Sequence, residues 1–198
     1  MPNPLELRRR IKSVDNTRQI TRAMQLVAAS RMRRAQEAVE SVRPYSRHMT
    51  DVVHRLVHAR GSESLPPLLR PRPIKRTAVV VMTTNRGLAG PLNTNIVRAA
   101  VNEMDELGGA GRISLFVVGR KGQAALAGSH KIQSVFHEMS DQPTRADVAP
   151  IVQAVTTGYR AADFDEVRVI YPEFVNTLTQ RPSSTRVLPV LLADEQQQ

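Results

Sequence analysis

The chain has no cysteine and no tryptophan, and aromatic residues make up only 4% of its 198 positions. Without cysteine there is no disulfide framework, no thiolate metal site and no thiol switch. With so few aromatics, a core has to be aliphatic. No apolar run approaches the roughly 20 residues needed to cross a bilayer. The opening Met1-Pro-Asn-Pro-Leu-Glu6 has no apolar stretch after its charges and does not read as a secretory signal. The expectation is a soluble, cytoplasmic protein of one ordinary domain plus an extension, or of two small domains.

What the chain has in excess is positive charge, +10 overall with 28 Lys and Arg against 18 Asp and Glu. That excess points to nucleic acid, an anionic membrane or an acidic protein partner. It is unevenly placed. Residues 1–60 hold thirteen Lys and Arg against five acids, +8, and the other 138 residues carry only +2.

Those sixty residues read as one long helix from Leu5 to about His58. Asn3 is a good N-cap, Pro4 suits the first helical position, and Glu6 follows the cap by three as in a capping box. The helix is expected to stop at Gly61, and Pro44 is expected to bend it near Val42–Pro44. Apolar residues recur every three or four positions: Leu7, Ile11, Val14, Thr21, Ala28, Met32, Ala35, Val39, Val42, Met49, Val53 and Leu56. That is a seven-residue repeat, the narrow seam of a coiled-coil strand. Arg18, Gln25 and Ser46 interrupt the seam. Ile20, Met24, Leu26 and Val27 put apolar groups on other faces, as in a helix buried by more than one neighbour. No second long helix follows in the sequence to cover it.

Residues 61–76, with four prolines, read as an extended linker. From Thr77 the pattern turns to short β-branched runs separated by helical stretches. Strands are expected at 77–83, 113–118, 131–136, 167–171 and 185–190. Helices are expected at 94–107, 120–127 and from about 145 to 160. The first of these should face inward with Val97, Val101 and Met104, the last with Val148, Ile151, Val152, Val155 and Tyr159. Thr144 and Asp147 form its cap pair. Alternating strands and helices mean an α/β domain over 77–192 with a mostly parallel, helix-covered sheet. Residues 193–198 read as a disordered tail.

No catalytic or metal-binding set stands out. Thr84–Asn93 joins a strand to a helix, where ligands often sit in open α/β sheets. Its Gly87 and Gly90, beside Arg86, could admit a phosphate, but the P-loop and dinucleotide spacings are absent. Gly119-Arg-Lys-Gly122 is similar, and turn-making is the simpler reading of both. His48, His54 and His58 lie on the basic helix without a carboxylate in a zinc-protease arrangement. His130 and His137 flank a strand, and the seven Met read as core filler.

Leu7 to Glu37, with its Leu-Arg-Arg-Arg-Ile-Lys-Ser-Val-Asp-Asn-Thr-Arg-Gln-Ile-Thr-Arg-Ala-Met opening, closely resembles the N-terminal helix of the gamma subunit of rotary proton-translocating ATP synthase. Val42-Arg-Pro-Tyr45 is similar to that family's Arg-Pro-Tyr element. Thr83–Asn93 is similar to its Ser-Asp-Arg-Gly-Leu-Cys-Gly loop, and Val169–Pro182 to a later strand and turn. Asn85, Ala89 and Pro91 depart from the family's Asp, Cys and Gly.

The resemblance implies a rotor shaft helix on a Rossmann-like, non-catalytic three-layer body, with no cofactor or metal. It implies the ATP synthase alpha and beta subunits, the epsilon subunit and the c-ring as partners, with no nucleic acid. It implies a peripheral place on the cytoplasmic face of the bacterial plasma membrane. Arg22, Met24, Arg31, Arg33 and Arg34 become the expected contacts to the alpha–beta hexamer; Arg86, Gly87 and Gly90 become a loop at an interface of the body. The family continues into a C-terminal helix that pairs with the first, so the chain is expected to be incomplete. Two other classes remain open on composition: a nucleic-acid binder using the basic helix, and a small enzyme for a phosphate ligand on the α/β body.

Overall fold

A computed structural model of the chain describes residues 3–60, 65–140 and 142–190. Gly61 and Ala193–Gln198, the expected helix stop and tail, lie outside the described residues, as do the side chains of His54 and His58. The chain divides into two compact units, Met1–Val53 and His54–Gln198.

The first unit is a helix. α1 runs from Pro4 to Arg60, 57 residues, or about 85 Å at the usual rise. Asn3 starts it: its side-chain oxygen accepts the Leu5 N–H at 3.1 Å, and its carbonyl accepts from Glu6 and Leu7. The helix runs unbroken through Pro44. Along its surface Arg10 pairs with Glu6, Arg18 with Asp15 and Arg33 with Glu37, at 3.6, 4.0 and 3.0 Å. Such exposed pairs add only about 0.3–0.5 kcal/mol each. Thr17, Thr21 and Thr50 turn their hydroxyls back to the carbonyl four residues earlier. Every residue from Asn3 to Val52 is exposed except Gln36. The helix therefore rests on propensity and local pairs, with its apolar seam uncovered.

The second unit is a layered α/β body. Its strands are β1 (Thr77–Met82), β2 (Ile113–Val118), β3 (Ile132–Phe136), β4 (Glu166–Phe174) and β5 (Gln180–Leu188). Between them lie α2 (Leu92–Glu106), α3 (Arg120–Leu126) and α4 (Arg145–Arg160). The sheet order is β3-β2-β1-β4-β5. β1 lies parallel to both β2 and β4, β3 parallel to β2, and β5 antiparallel to β4 as one arm of a hairpin.

Period-two alternation sorts the central strands between two cores. Val79, Val81, Leu115 and Val117 face Ile96, Ala100 and Met104 of α2. Ala78, Val80, Phe116 and Val118 face Ile151, Val155 and Tyr159 of α4. Strands buried on both sides need continuous β-branched runs, which is what Thr77–Met82 and Ile113–Val118 supply. On α2, Ile96 and Ala100 are the buried partners of Met104, and Val97 and Val101 pack at the margin.

α4 departs further from expectation. Val148 and Val152 are 37% and 49% exposed. Its buried stripe runs through Ile151, Val155, Gly158 and Tyr159, and the two valines edge an apolar groove of about 350 Å³ shared with Val169 and Val187. Its start follows the sequence: Thr144 and Asp147 form a full capping box, with the Thr144 N–H donating to the Asp147 carboxylate at 2.7 Å. That backbone bond and the Thr144 hydroxyl hold the Asp147 carboxyl below its ordinary range.

The proline-rich stretch ahead of β1 is fastened to this body. Leu65 is buried, and Leu68 packs on the α4-side core. The Arg72 guanidinium lies 4.4 Å from the Tyr159 ring centre, pairs with Asp165 at 2.8 Å, and donates to the Tyr159 and Phe164 carbonyls. Asp165 also accepts the N–H groups of Lys75 and Arg76, at 2.9 and 3.1 Å.

Candidate partner-binding surfaces

The five α1 residues expected to meet partners are all exposed, Met24 at 58%. They do not form one patch. At about 100° per residue, Arg31 falls nearly in line with Met24, Arg22 and Arg33 fall on the opposite side, and Arg34 lies between. Met24 and Arg31 come together on a shallow apolar groove with Ile20, Ala23, Val27 and Ala28. Arg33 is drawn to Glu37, and Arg34 to the Ser30 hydroxyl at 3.1 Å. A ring of side chains around a slim apolar segment fits enclosure by several surfaces better than a flat contact. Fifteen large apolar side chains between Leu5 and Leu56 are at least 42% exposed. At about 1.5–3 kcal/mol for each one fully covered, covering half of them gains as much as a typical domain's stability.

The loop carrying Arg86, Gly87 and Gly90 lies at the carboxyl ends of β1 and β2, next to the point where strand order reverses. With Arg120, Met139 and Ser140 it lines a cleft of about 730 Å³. The loop is braced from within. The Thr84 N–H donates to the Asn93 side chain, and the Thr84 hydroxyl to the Arg86 carbonyl at 2.6 Å. Asn85 spans two elements: its amide donates to the His137 carbonyl, and its oxygen accepts the Arg120 N–H. Thr83 accepts the Gly122 N–H through its hydroxyl and donates that hydroxyl to the Val118 carbonyl.

These bonds decide the phosphate question. The first amides of α3, which a phosphate would use, all go to protein: Arg120 to Asn85, Lys121 to the Thr84 carbonyl, Gly122 to Thr83 and Gln123 to the Gly119 carbonyl. The glycines here are packing devices. Gly119 has φ +95° and leaves no room for a Cβ beside the Thr83 carbonyl, and a Cβ on Gly122 would sit 2.8 Å from the Thr83 hydroxyl. Gly87, by contrast, has ordinary space around it, and Gly90 has φ +55°. Leu88 stands out between them, fully exposed at φ +62°.

Sequence reading missed one charged cluster. Glu166 is 1% exposed and lies 3.1 Å from Arg168 and 3.6 Å from Arg186, with the Thr77 hydroxyl donating at 3.2 Å. Arg168 and the Ser184 hydroxyl both donate to Glu103 of α2. The signal was present in the period-two pair Glu166 and Arg168, which a parallel strand places on one face. The cluster ties α2, β1, β4 and β5 together, and each carboxylate is matched by a guanidinium. Among the described residues no group of three His, Asp or Glu could hold a metal ion. No helix there is long and apolar enough to cross a membrane.

Residues 3–198 match the sequence family described as ATP synthase. The chain is 42% identical to the ATP synthase gamma chain of Herpetosiphon aurantiacus over 96% of its own length and 68% of that protein's. It is 41% identical to the gamma chain of Acidithiobacillus ferrooxidans, over 96% and 66%. The chain thus spans about two thirds of the relatives it matches. Among solved structures, the central stalk and c-ring assembly of the Tetrahymena thermophila mitochondrial ATP synthase contains a chain that superposes with TM-score 0.70 at 25% identity. The match covers 86% of this chain and 72% of that one. The motifs on α1, the layered body and these relatives converge: the chain belongs to the ATP synthase gamma-chain family.

Proposed function

We propose that the chain is a central-stalk rotor subunit that couples proton-driven rotation of a c-ring to ATP synthesis in an alpha–beta hexamer. The observation that carries this reading is α1: a long cationic helix, capped and continuous, with fifteen large apolar side chains in the open among its described residues. Such a surface needs partners on several sides. In this role the chain does no chemistry of its own. It transmits torque, and the hexamer holds the catalytic sites. Arg22, Met24, Arg31, Arg33 and Arg34 ring the segment that turns inside the hexamer. The body meets the epsilon subunit and the c-ring, and Arg86, Gly87 and Gly90 belong to a loop at one of its interfaces. The protein works peripherally, at the cytoplasmic face of a bacterial plasma membrane.

Co-expression with the alpha and beta subunits of a bacterial relative tests this. The chain is expected to co-purify with them in a complex that hydrolyses ATP. Charge reversal at Arg33 and Arg34 together should weaken the complex and make what binding remains less sensitive to salt, because the attraction that salt screens has been removed. A chain that stays apart from the hexamer, yet shifts arbitrary duplex DNA with a steep salt dependence, overturns the rotor reading in favour of nucleic-acid binding.

A further inference from the structure

We propose that Met24, Met32 and Met49 of α1 form an oxidation-sensitive site: in the free chain hydrogen peroxide converts their thioethers to sulfoxides, and the helix loses affinity for the apolar surfaces that cover it. The chemistry stands on α1 alone; its consequence for an alpha–beta hexamer rests on the rotor reading.

Exposure sorts the methionines into two sets. Met24, Met32 and Met49 are 58%, 45% and 45% exposed. Met104 is 1% exposed and packed into the α2-side core, and Met82 and Met139 are half-buried against the α4-side core. Peroxide reaches a thioether sulfur only where solvent does, so the α1 set reacts first. No thiol competes for the oxidant, because the chain has no cysteine. In each event the peroxide O–O bond breaks. One oxygen bonds to sulfur, which is oxidised by two electrons, and the other leaves as water with both hydrogens.

Position gives the oxidation its effect. Met32 and Met49 belong to the seven-residue seam, and Met24 lines the shallow groove with Ile20, Ala23, Val27 and Ala28. A thioether is apolar and adapts its shape to a facing surface. A sulfoxide is polar and calls for hydrogen bonds that an apolar contact does not supply. On the free helix the sulfoxides stay in water and cost little. Under cover each must give up that water. The penalty therefore falls on association and not on the fold of the body. Cover also shields the sulfurs, so the free chain is the sensitive form.

The test treats the full chain with dilute hydrogen peroxide and follows each methionine by peptide mass spectrometry. Met24, Met32 and Met49 are expected to gain one oxygen at least about tenfold faster than Met104. The melting temperature of the body should be unchanged at the dose that converts them. The oxidised chain should elute earlier from a phenyl matrix, and its yield in complex with alpha and beta subunits should fall by about tenfold. Treatment with both methionine sulfoxide reductases should restore elution and yield. The triple variant Met24→Leu, Met32→Leu, Met49→Leu, compared with itself before and after peroxide, should be insensitive in both readouts. Peroxide should oxidise the three residues more slowly in the assembled complex than in the free chain. If the untreated chain never assembles, the rotor reading fails, and elution from the phenyl matrix still decides the site. Met104 oxidised as fast as the α1 set, unaltered elution after conversion, equal rates free and assembled, or a triple variant as sensitive as the parent each overturns the proposal.

Discussion

α1 and the α/β body use the same apolar residue types to opposite effect. In α1, Ile20, Met24, Leu26 and Val27 are between 54% and 68% exposed. In β1 and β2, Val79, Val81 and Val117 are fully buried. The difference is one of partners. A strand at the centre of a sheet has neighbours on both edges and helices on both faces, so its side chains meet core wherever they point. A lone helix can satisfy its backbone by itself, and its side chains stay in water until another surface arrives. The body is stabilised from within, and α1 holds a large unspent affinity.

The largest measurable consequence lies in backbone opening. Amides of β1 and β2 exchange through opening of the whole body, and those of α1 through local fraying. Hydrogen exchange on the isolated chain should find α1 faster than β1 by about three decades or more. Protection of α1 equal to that of β1 would break the comparison and mean that the helix had found cover, by self-association for example. Sedimentation on the same sample separates those cases.

Single side-chain deletions sharpen the comparison. Phe164 is fully buried and meets Phe116 edge-on, ring centres 6.0 Å apart. Phe164→Ala should cost about 3–5 kcal/mol of body stability. Met24→Ala on α1 should change the stability of the isolated chain by less than about 0.5 kcal/mol. In the assembled complex the contrast should narrow, because Met24 then has something to lose. Denaturant titration of both variants, free and assembled, reads the difference.

The sequence is legible where a pattern is local and misleading where burial depends on what lies across the sheet. β2 falls on Ile113–Val118 as its apolar run requires, and the Thr144–Asp147 cap is a four-residue signal that folds as it reads. Val148 and Val152 fail because an apolar pair on a helix records only that a surface wants cover. It does not say whether the fold supplies it. β4 and β5 reach further than expected, to Phe174 and back from Gln180, because pairing in a hairpin extends strands beyond their apolar centres into polar residues such as Glu173 and Arg181, which meet at 2.7 Å. The long contacts of Arg72 with Tyr159 and Asp165 join residues some ninety positions apart; no spacing rule reaches that far. On α1 the partner candidates could be named but not grouped, since helical phase spreads them around the axis. Leu88 shows the opposite limit. Gly87 and Gly90 are the residues whose type suggests a turn there, yet the left-handed backbone belongs partly to the leucine between them, which its residue type does not announce.

The smallest effect separates the two units by pH. Asp165 sits where the proline-rich stretch meets the body, with its side chain 14% exposed. Burial alone would raise its carboxyl pKa. The Lys75 and Arg76 N–H groups and the Arg72 guanidinium outweigh burial and hold the pKa below the usual carboxylate range. A carboxyl depressed in the folded state contributes stability that is fully present above its unfolded value, about 3.9, and is lost as pH falls through the lower folded value. The body should therefore lose stability on acidification through that window. Asp165→Asn should flatten the loss while lowering stability at neutral pH, where the charge on Arg72 is left without its counterpart. The two proteins should converge at the acid end, because protonated Asp and Asn are both neutral. The measurement is denaturant midpoint against pH, followed by near-ultraviolet circular dichroism, which is dominated by packed rings such as Tyr159 of the body, the Tyr45 ring of α1 being exposed. A variant whose deficit stayed constant from neutral to acid would mean that Asp165 acts through shape alone, and the clamp between Arg72 and this turn would owe nothing to charge.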